Sequence, residues 1–299
     1  MTRTAIGIAS VVIGLGLLTA MPATAQRDFS SVEIETIQVA DGVYMLVGSG
    51  GNIGLSIGED GPFVVDDQFA PLTEKIQAAI AAVTSGAVRF VLNTHWHGDH
   101  TGGNENLGKA GAMIIAHENV RKRLNPAEFR DLMGRSQQAP PDALPVVTFT
   151  DAVNFYWNGE NIRVFHVEHA HTDGDAIVHF TNANVVHMGD TFFKDRYPFI
   201  DVDSGGGIDG MIAAADHVLS MVDSDTKIIP GHGTLATPDD LRDYRNMLIT
   251  VRDRVRTMLN DGMSVDEVVA AKPTNDLDAT WGSDPTRFVT LTARSLSER

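Results

Sequence analysis

The chain has 299 residues, of which 43% are hydrophobic and 21% charged, and it contains no cysteine. That length supports one large or two small domains with an ample core. The absence of cysteine excludes disulfides, thiolate catalysis, iron–sulfur clusters and cysteine zinc ligands. A formal net charge of −16 argues against nucleic acid and anionic membrane surfaces as partners and leaves small molecules as the expected ones.

The N-terminus opens with Arg3, an uncharged run from Ala5 to Ala20, and Pro22-Ala23-Thr24-Ala25. This pattern predicts a secretory signal over residues 1–25, cut after Ala25. The run is short for a membrane span, so cleavage is preferred to a retained anchor, with no stable membrane insertion afterwards. Export would place the protein in a bacterial periplasm or outside the cell.

Ser31 to Val39 alternates apolar and polar residues and reads as a strand, followed by the turn Asp41-Gly42. Val43 to Val47, Ile53 to Ile57 and Phe63 to Val65 read as further strands joined by tight turns, and the last runs into Asp66-Asp67. Leu72, Ile76, Ile80 and Val83 have helical spacing. Val88 to Leu92 is then a buried strand.

That strand feeds Thr94-His95-Trp96-His97-Gly98-Asp99-His100-Thr101-Gly102-Gly103-Asn104. Three histidines and an aspartate fall within six residues, in a chain with only 11 histidines. A polar loop with chance histidines is the bland alternative, and composition does not account for such a cluster. Imidazole and carboxylate suit a borderline divalent metal such as zinc. In extended backbone His95 and His97 project to one side and can share a metal. Asp99 and His100, past Gly98, can turn toward a second.

Glu105 to Lys109 is predicted helical, Met113 to Ala116 a strand and Glu118 to Leu124 a helix. Asn125 to Pro145 is polar and proline-bearing, an inserted loop with a short helix at Ala127 to Met133; a plain surface connection explains it equally well. Strands follow at Val146–Thr148, Ala152–Phe155, Ile162–Val167, Ile177–Phe180, Val185–Met188 and Lys227–Ile229. Helices are expected at Met211–Met221 and, capped by Thr237, through about Leu259; Ser264 to Glu267 is a capping box that starts another. Residues 26–260 are read as the catalytic domain and 261–299 as a C-terminal helical arm packed on it through Trp281 and Phe288. The pattern predicts an α/β (α+β) fold, a four-layer αββα sandwich of two mixed sheets packed face to face with helices outside.

Three more strand ends run into glycine-containing loops with His or Asp: His169-Ala170-His171-Thr172-Asp173-Gly174-Asp175, Met188-Gly189-Asp190-Thr191 and Pro230-Gly231-His232-Gly233. Each is weak alone. Taken in order with the His-x-His-x-Asp-His run, they resemble the metallo-β-lactamase superfamily, over roughly Val39 to Gly233.

The resemblance implies that His95, His97 and His171 ligate one zinc and Asp99, His100 and His232 a second, with Asp190 bridging the two. Within the loop His169 is the rival of His171, and the family pattern favours His171. Two Zn2+ ions are the implied cofactors, with iron or manganese as alternatives. A metal-bound hydroxide would attack a carbonyl carbon, with Asp99 and Asp190 the catalytic carboxylates and Asp99 orienting the nucleophile. Asp66 stands where family members hold a ligand imidazole by hydrogen bond, with Asp67 the fallback; a simple turn carboxylate is the bland reading of either. Substrate contacts are expected from Lys194, where some β-lactamases bind a carboxylate, from Trp96, which either walls the site or points into the core, and from Tyr197 on a rim loop.

The implied activity is hydrolysis of a cyclic amide or ester, with β-lactam ring opening the leading reading. A lactonase or glyoxalase II-like thioesterase is the alternative, because zinc β-lactamases place Cys or Ser where this chain has Asp190. An iron-dependent oxidoreductase of the same fold is the rival from a different class.

Overall fold

A computed structural model describes residues 28–125, 139–282 and 284–297. The expected signal segment and the short helix at Ala127 to Met133 lie outside the described residues. Seven strands form the first sheet: β1 (Glu35–Ala40), β2 (Val43–Val47), β3 (Ile53–Ser56), β4 (Phe63–Val65), β5 (Phe90–Asn93), β6 (Met113–His117) and β7 (Val147–Phe149), paired in chain order. β1 to β4 pair antiparallel through tight turns. From β4 to β7 the pairing is parallel, because helical crossovers replace the hairpins. Those crossovers carry α1 (Thr73–Val83), α2 (Gly98–Thr101), α3 (Asn104–Lys109) and α4 (Glu118–Leu124).

Five strands form the second sheet: β8 (Ala152–Trp157), β9 (Glu160–His166), β10 (Ala176–Phe180), β11 (Val185–His187) and β12 (Lys227–Ile229), in the order β12-β11-β10-β9-β8. Only β11 and β12 pair in parallel, joined through α5 (Ile208–Met221). α6 (Pro238–Asn260), α7 (Val265–Ala270), α8 (Asp278–Trp281) and α9 (Pro285–Ser297) complete the chain.

The period-2 patterns explain the layering. In β4, Phe63 and Val65 face the second sheet, while Val64 faces α1. From the other side Ile162, Val164, Val178 and Phe180 meet them, giving an inter-sheet core. Ile76 and Ile80 of α1 and Leu107 of α3 cover the outer face of the first sheet. The second sheet is covered by Met211 of α5, Tyr244 of α6 and Phe288 of α9, packed with Val186 and Ile228. These are the four expected αββα layers. The C-terminal residues sit inside this last core: Phe288 is 1% exposed, and Trp281 packs on the same cluster. No helix among the described residues is long and apolar enough to cross a membrane.

Candidate metal centre

Loops leaving β5, β9, β11 and β12 converge at one end of the sandwich. His97 keeps extended backbone (φ −64°, ψ 147°) as the cap of α2, so His95 and His97 project the same way, and the turn of α2 brings Asp99 and His100 around. His171 arrives on the loop between β9 and β10, Asp190 on the turn Gly189–Thr191 after β11, and His232 after β12. Potential ligand atoms gather as two groups, one of His95, His97, His171 and Asp190 and the other of Asp99, His100 and His232. His97 Nδ1 lies 3.1 Å from His95 Nε2 and 2.9 Å from His171 Nε2. Asp190 joins the groups: its Oδ1 is 3.1 Å from His100 Nε2, and its Oδ2 is 3.5 Å from His171 Nε2 and 3.4 Å from His232 Nε2. Asp99 Oδ2 is 3.4 Å from His232 Nε2. His169 turns away, with its Nδ1 3.0 Å from the Gly205 carbonyl.

Two glycines permit this approach. A Cβ on Gly51 would overlap the His100 ring, and one on Gly231 would overlap Asp190 Oδ1. Asn52 holds the His232 loop in place, donating its side-chain N–H groups to the Pro230 and Gly233 carbonyls at 2.9 and 2.8 Å.

The outward nitrogen of each buried ring has a partner. His100 Nδ1 donates to Asp66 Oδ2 at 2.7 Å, and Asp66 Oδ1 accepts from the Thr94 backbone N–H. Thr94 Oγ1 donates to Asp66 Oδ2, so it is left to accept from His95 Nδ1 at 3.1 Å. His171 Nδ1 donates to the Phe199 carbonyl at 2.8 Å. His97 Nε2 donates to Asp201 Oδ2 at 2.9 Å. For His95, His97 and His171 these bonds assign the protons outward, so their unprotonated nitrogens face one another inside. Asp66 adopts a left-handed backbone (φ 63°), which a non-glycine residue retains only under strong local constraint. Asp67 instead accepts from the Gly103 N–H, and burial pushes its carboxyl well up.

Electrostatics separate the roles further. Burial, aided by the His100 charge, holds His95 well below the ordinary histidine range, and burial brings His171 down to about 3. His100 is held well above its usual range: burial opposes this, but Asp190 and Asp66 outweigh it. Burial likewise works to raise Asp190, yet His232, His100 and His95 hold it well below the carboxylate range.

The donor set fits divalent metal. His100 Nε2 and Asp190 Oδ1 are buried without a hydrogen-bond partner, and lone pairs of three imidazoles converge beside them. Neutral nitrogens and carboxylate oxygens of this kind are what zinc takes. The floor is buried, with His95, His100, His171 and Asp190 each at most 5% exposed. Asp99 and His232 are partly exposed, at 27% and 19%, and mark the mouth.

Trp96 lies beside His97, ring centroids 4.9 Å apart, and half-buried. Two residues expected at the substrate have other partners within the fold. The Lys194 ammonium is committed to Asp240 Oδ2 at 3.1 Å, at the N-terminal turn of α6. Tyr197 is 4% exposed, stacks on Phe288 and donates its hydroxyl to Asp278, so it ties the C-terminal helices to the body. Asp201, Thr94 and Asn52 escape sequence reasoning. Asp201 carries no local signal, being 104 residues from the ring it holds.

A family model described as the metallo-beta-lactamase superfamily matches residues 48–250. The hydroxyacylglutathione hydrolase of Pelagibacter ubique is 31% identical over 110 residues, 36% of this chain and 37% of that protein. That of Polaromonas sp. is 27% identical over 197 residues, 61% and 66% of the two chains. The lactamase-like protein aptB of Emericella nidulans is 30% identical over 163 residues, 52% and 43%. The chain thus spans 37% to 66% of the length of these relatives. Among solved structures, DIM-1 metallo-beta-lactamase superposes with a TM-score of 0.59 at 19% identity, covering 73% of this chain and 99% of that one. The metallo-beta-lactamase from Pontibacter korlensis gives 0.59 at 16% identity, covering 72% and 99%. At such identities the likeness is one of fold.

Proposed function

Because the chain belongs to the metallo-beta-lactamase superfamily, we propose that it is a two-metal hydrolase of carboxylic acyl bonds, acting on a thioester or lactone carbonyl. The observation that carries this reading is Asp190. Its two carboxylate oxygens reach toward both ligand groups, at a position where the superfamily's zinc β-lactamases place Cys or Ser. Three of the curated relatives are named hydroxyacylglutathione hydrolases, which supports a thioester. β-Lactam ring opening, the leading expectation from sequence, is the competing reading.

In this reading His95, His97 and His171 would hold one metal and Asp99, His100 and His232 the other, with Asp190 within reach of both. Bound zinc would supply a water acidic enough to ionise near neutral pH and a Lewis acid for the carbonyl oxygen. The protein's own groups do the rest. The Asp66–Thr94–His95 and Asp66–His100 hydrogen bonds fix ring orientation, and the first leaves the inward nitrogen of His95 free of a proton. Asp99, on the solvent side, is placed to hold the proton of the attacking water and pass it to the departing sulfur or oxygen. The buried floor excludes bulk water from the acyl carbon. Export to the periplasm or beyond is part of the proposal and is supported by the N-terminal run alone.

Metal analysis of the purified protein, with turnover of S-lactoylglutathione, an acyl-homoserine lactone and nitrocefin, tests it. Two zinc ions per chain with thioester or lactone cleavage are expected. Nitrocefin as the sole substrate would transfer the assignment to β-lactams, and one iron with oxygen uptake would overturn the hydrolase.

A further inference from the structure

β11 carries a buried histidine that stands outside the donor set. Val185 packs in the inter-sheet core, and His187, two residues on, shares its face of the sheet. The ring is fully buried, and β3 makes room for it with Gly54, where a Cβ would come within 3.0 Å of His187 Cδ2. An apolar side chain would fill that gap without the cost of burying two ring nitrogens. Both nitrogens are used. Nε2 donates to the Asn52 carbonyl at 3.0 Å, and Nδ1 accepts from the Gly189 N–H at 3.2 Å. A carbonyl on one side and an N–H on the other select the neutral ring with its proton on Nε2, and burial, which lowers its pKa, favours that form.

These two bonds join the segments that bear Asp190 and His232. Gly189 has left-handed backbone (φ 51°) and opens the turn that carries Asp190, and its carbonyl accepts from the Gly231 N–H at 2.8 Å. Asn52 binds the same His232 loop, its backbone N–H donating to the Gly231 carbonyl at 2.7 Å in addition to its side-chain bonds to Pro230 and Gly233. The rings of His95, His97, His100 and His171 are each held through their own outward nitrogen. Asp190 differs, since its Oδ1 is buried without a hydrogen-bond partner. The turn therefore has to place this carboxylate, and His187 holds the turn from inside the core.

We propose that His187 is a positioning residue of the metal centre: anchored on Asn52, it holds the Gly189 N–H and so sets the Asp190 carboxylate between the two ligand groups. This rests on the two-metal acyl-hydrolase reading above and adds that the alignment of Asp190 with His232 is built into the protein before metal binds. The two groups depend on it unequally. One has three imidazoles besides Asp190, whereas the other has two imidazoles and the partly exposed Asp99. A displaced Asp190 therefore weakens the second group more than the first.

The test is zinc titration against a competing chelator, with cobalt(II) titration followed by visible absorption to read the coordination itself. Three variants separate the two hydrogen bonds. His187→Phe keeps a ring and loses both bonds. His187→Asn keeps an acceptor near the place of Nδ1, and His187→Gln keeps a donor near the place of Nε2. His187→Phe should weaken the second metal about tenfold more than the first and alter the cobalt spectrum. His187→Asn should recover most of the affinity and the wild-type spectrum, while His187→Gln should stay close to His187→Phe. Should His187→Phe not fold, the Asn and Gln variants decide the matter between them. Wild-type affinity for both metals in every variant, or equal losses in His187→Asn and His187→Gln, overturns the proposal and leaves His187 a clamp between the sheets, with the acyl-hydrolase reading intact. The expected pattern in a wild type that cleaves neither S-lactoylglutathione nor a lactone would uphold the proposal and refute that reading. A wild type that takes up a single metal overturns both.

Discussion

Asp201 makes the sharpest residue-scale prediction. It is the sole side-chain partner of His97 Nε2 among the described residues, and it also accepts the Ser204 N–H through Oδ1. Burial works to raise its carboxyl, but the hydrogen bonds from His97 and Ser204 bring it down to about 2. Removing such a partner typically weakens metal affinity by about 10- to 100-fold, because the ring loses its orientation and basicity. Asp201→Ala should show that loss in zinc titrations against a competing chelator, and Asp201→Asn, which keeps an acceptor, should lose less. Unchanged affinity in both would remove Asp201 from the site. The ligands themselves were legible in sequence because four of seven sit within one six-residue window. Asp201 was not, since its role arises from a contact across the fold and it stands in no patterned stretch.

At the scale of elements, Lys194 and α6 must be read together. Thr237 and Asp240 form a capping box at the helix start, and the same Asp240 carboxylate holds Lys194. Lys194→Met should therefore cost at most about 1 kcal/mol of stability, the worth of a partly exposed pair, and leave KM for an anionic substrate within twofold. A tenfold rise would restore Lys194 as a substrate contact. α4 offers a pH test away from the ligands. His117 caps this helix, its Nδ1 accepting from the Asn119 N–H while Nε2 donates to the Thr150 carbonyl. Burial first, then the neighbouring His166, lower its pKa to about 4. The folded state thus takes up its proton later than the unfolded state, so the contribution of His117 is complete above about pH 6.5 and declines as pH falls toward 4. Chelator-treated His117→Asn, which keeps a capping oxygen, should lose less melting temperature between pH 7 and 5 than the chelator-treated wild type. Parallel pH curves would show that His117 is not the group responsible. β2, β4, β12 and α4 were legible to the residue because turns or clear periodicity bound them. β9 begins two residues earlier than expected, at Glu160, because cross-strand pairing with Trp157 carries the ladder past the apolar run.

For the whole molecule, the ligands tie the two sheets together. His95, His97, Asp99 and His100 follow β5 of the first sheet, whereas His171, Asp190 and His232 follow strands of the second. The sheet order was not visible in sequence, because hydrophobic period fixes which face a residue takes and not which strands become neighbours, and the closure was implied only by the family resemblance. Metal that binds the folded chain alone stabilises it by mass action, by about 4 kcal/mol at a thousandfold excess over Kd. For a domain of this size that amounts to a rise in melting temperature on the order of 10 °C. Calorimetry with and without excess zinc should therefore show a large increment in the wild type. His171→Ala, which strips a ligand from the second sheet, should lose most of that increment while melting near the metal-free wild type. Lys194→Met, outside the donor set, should keep it. Equal melting temperatures with and without zinc in the wild type would mean that the cluster does not join the sheets through metal, and the two-metal reading of Asp190 would fall with it.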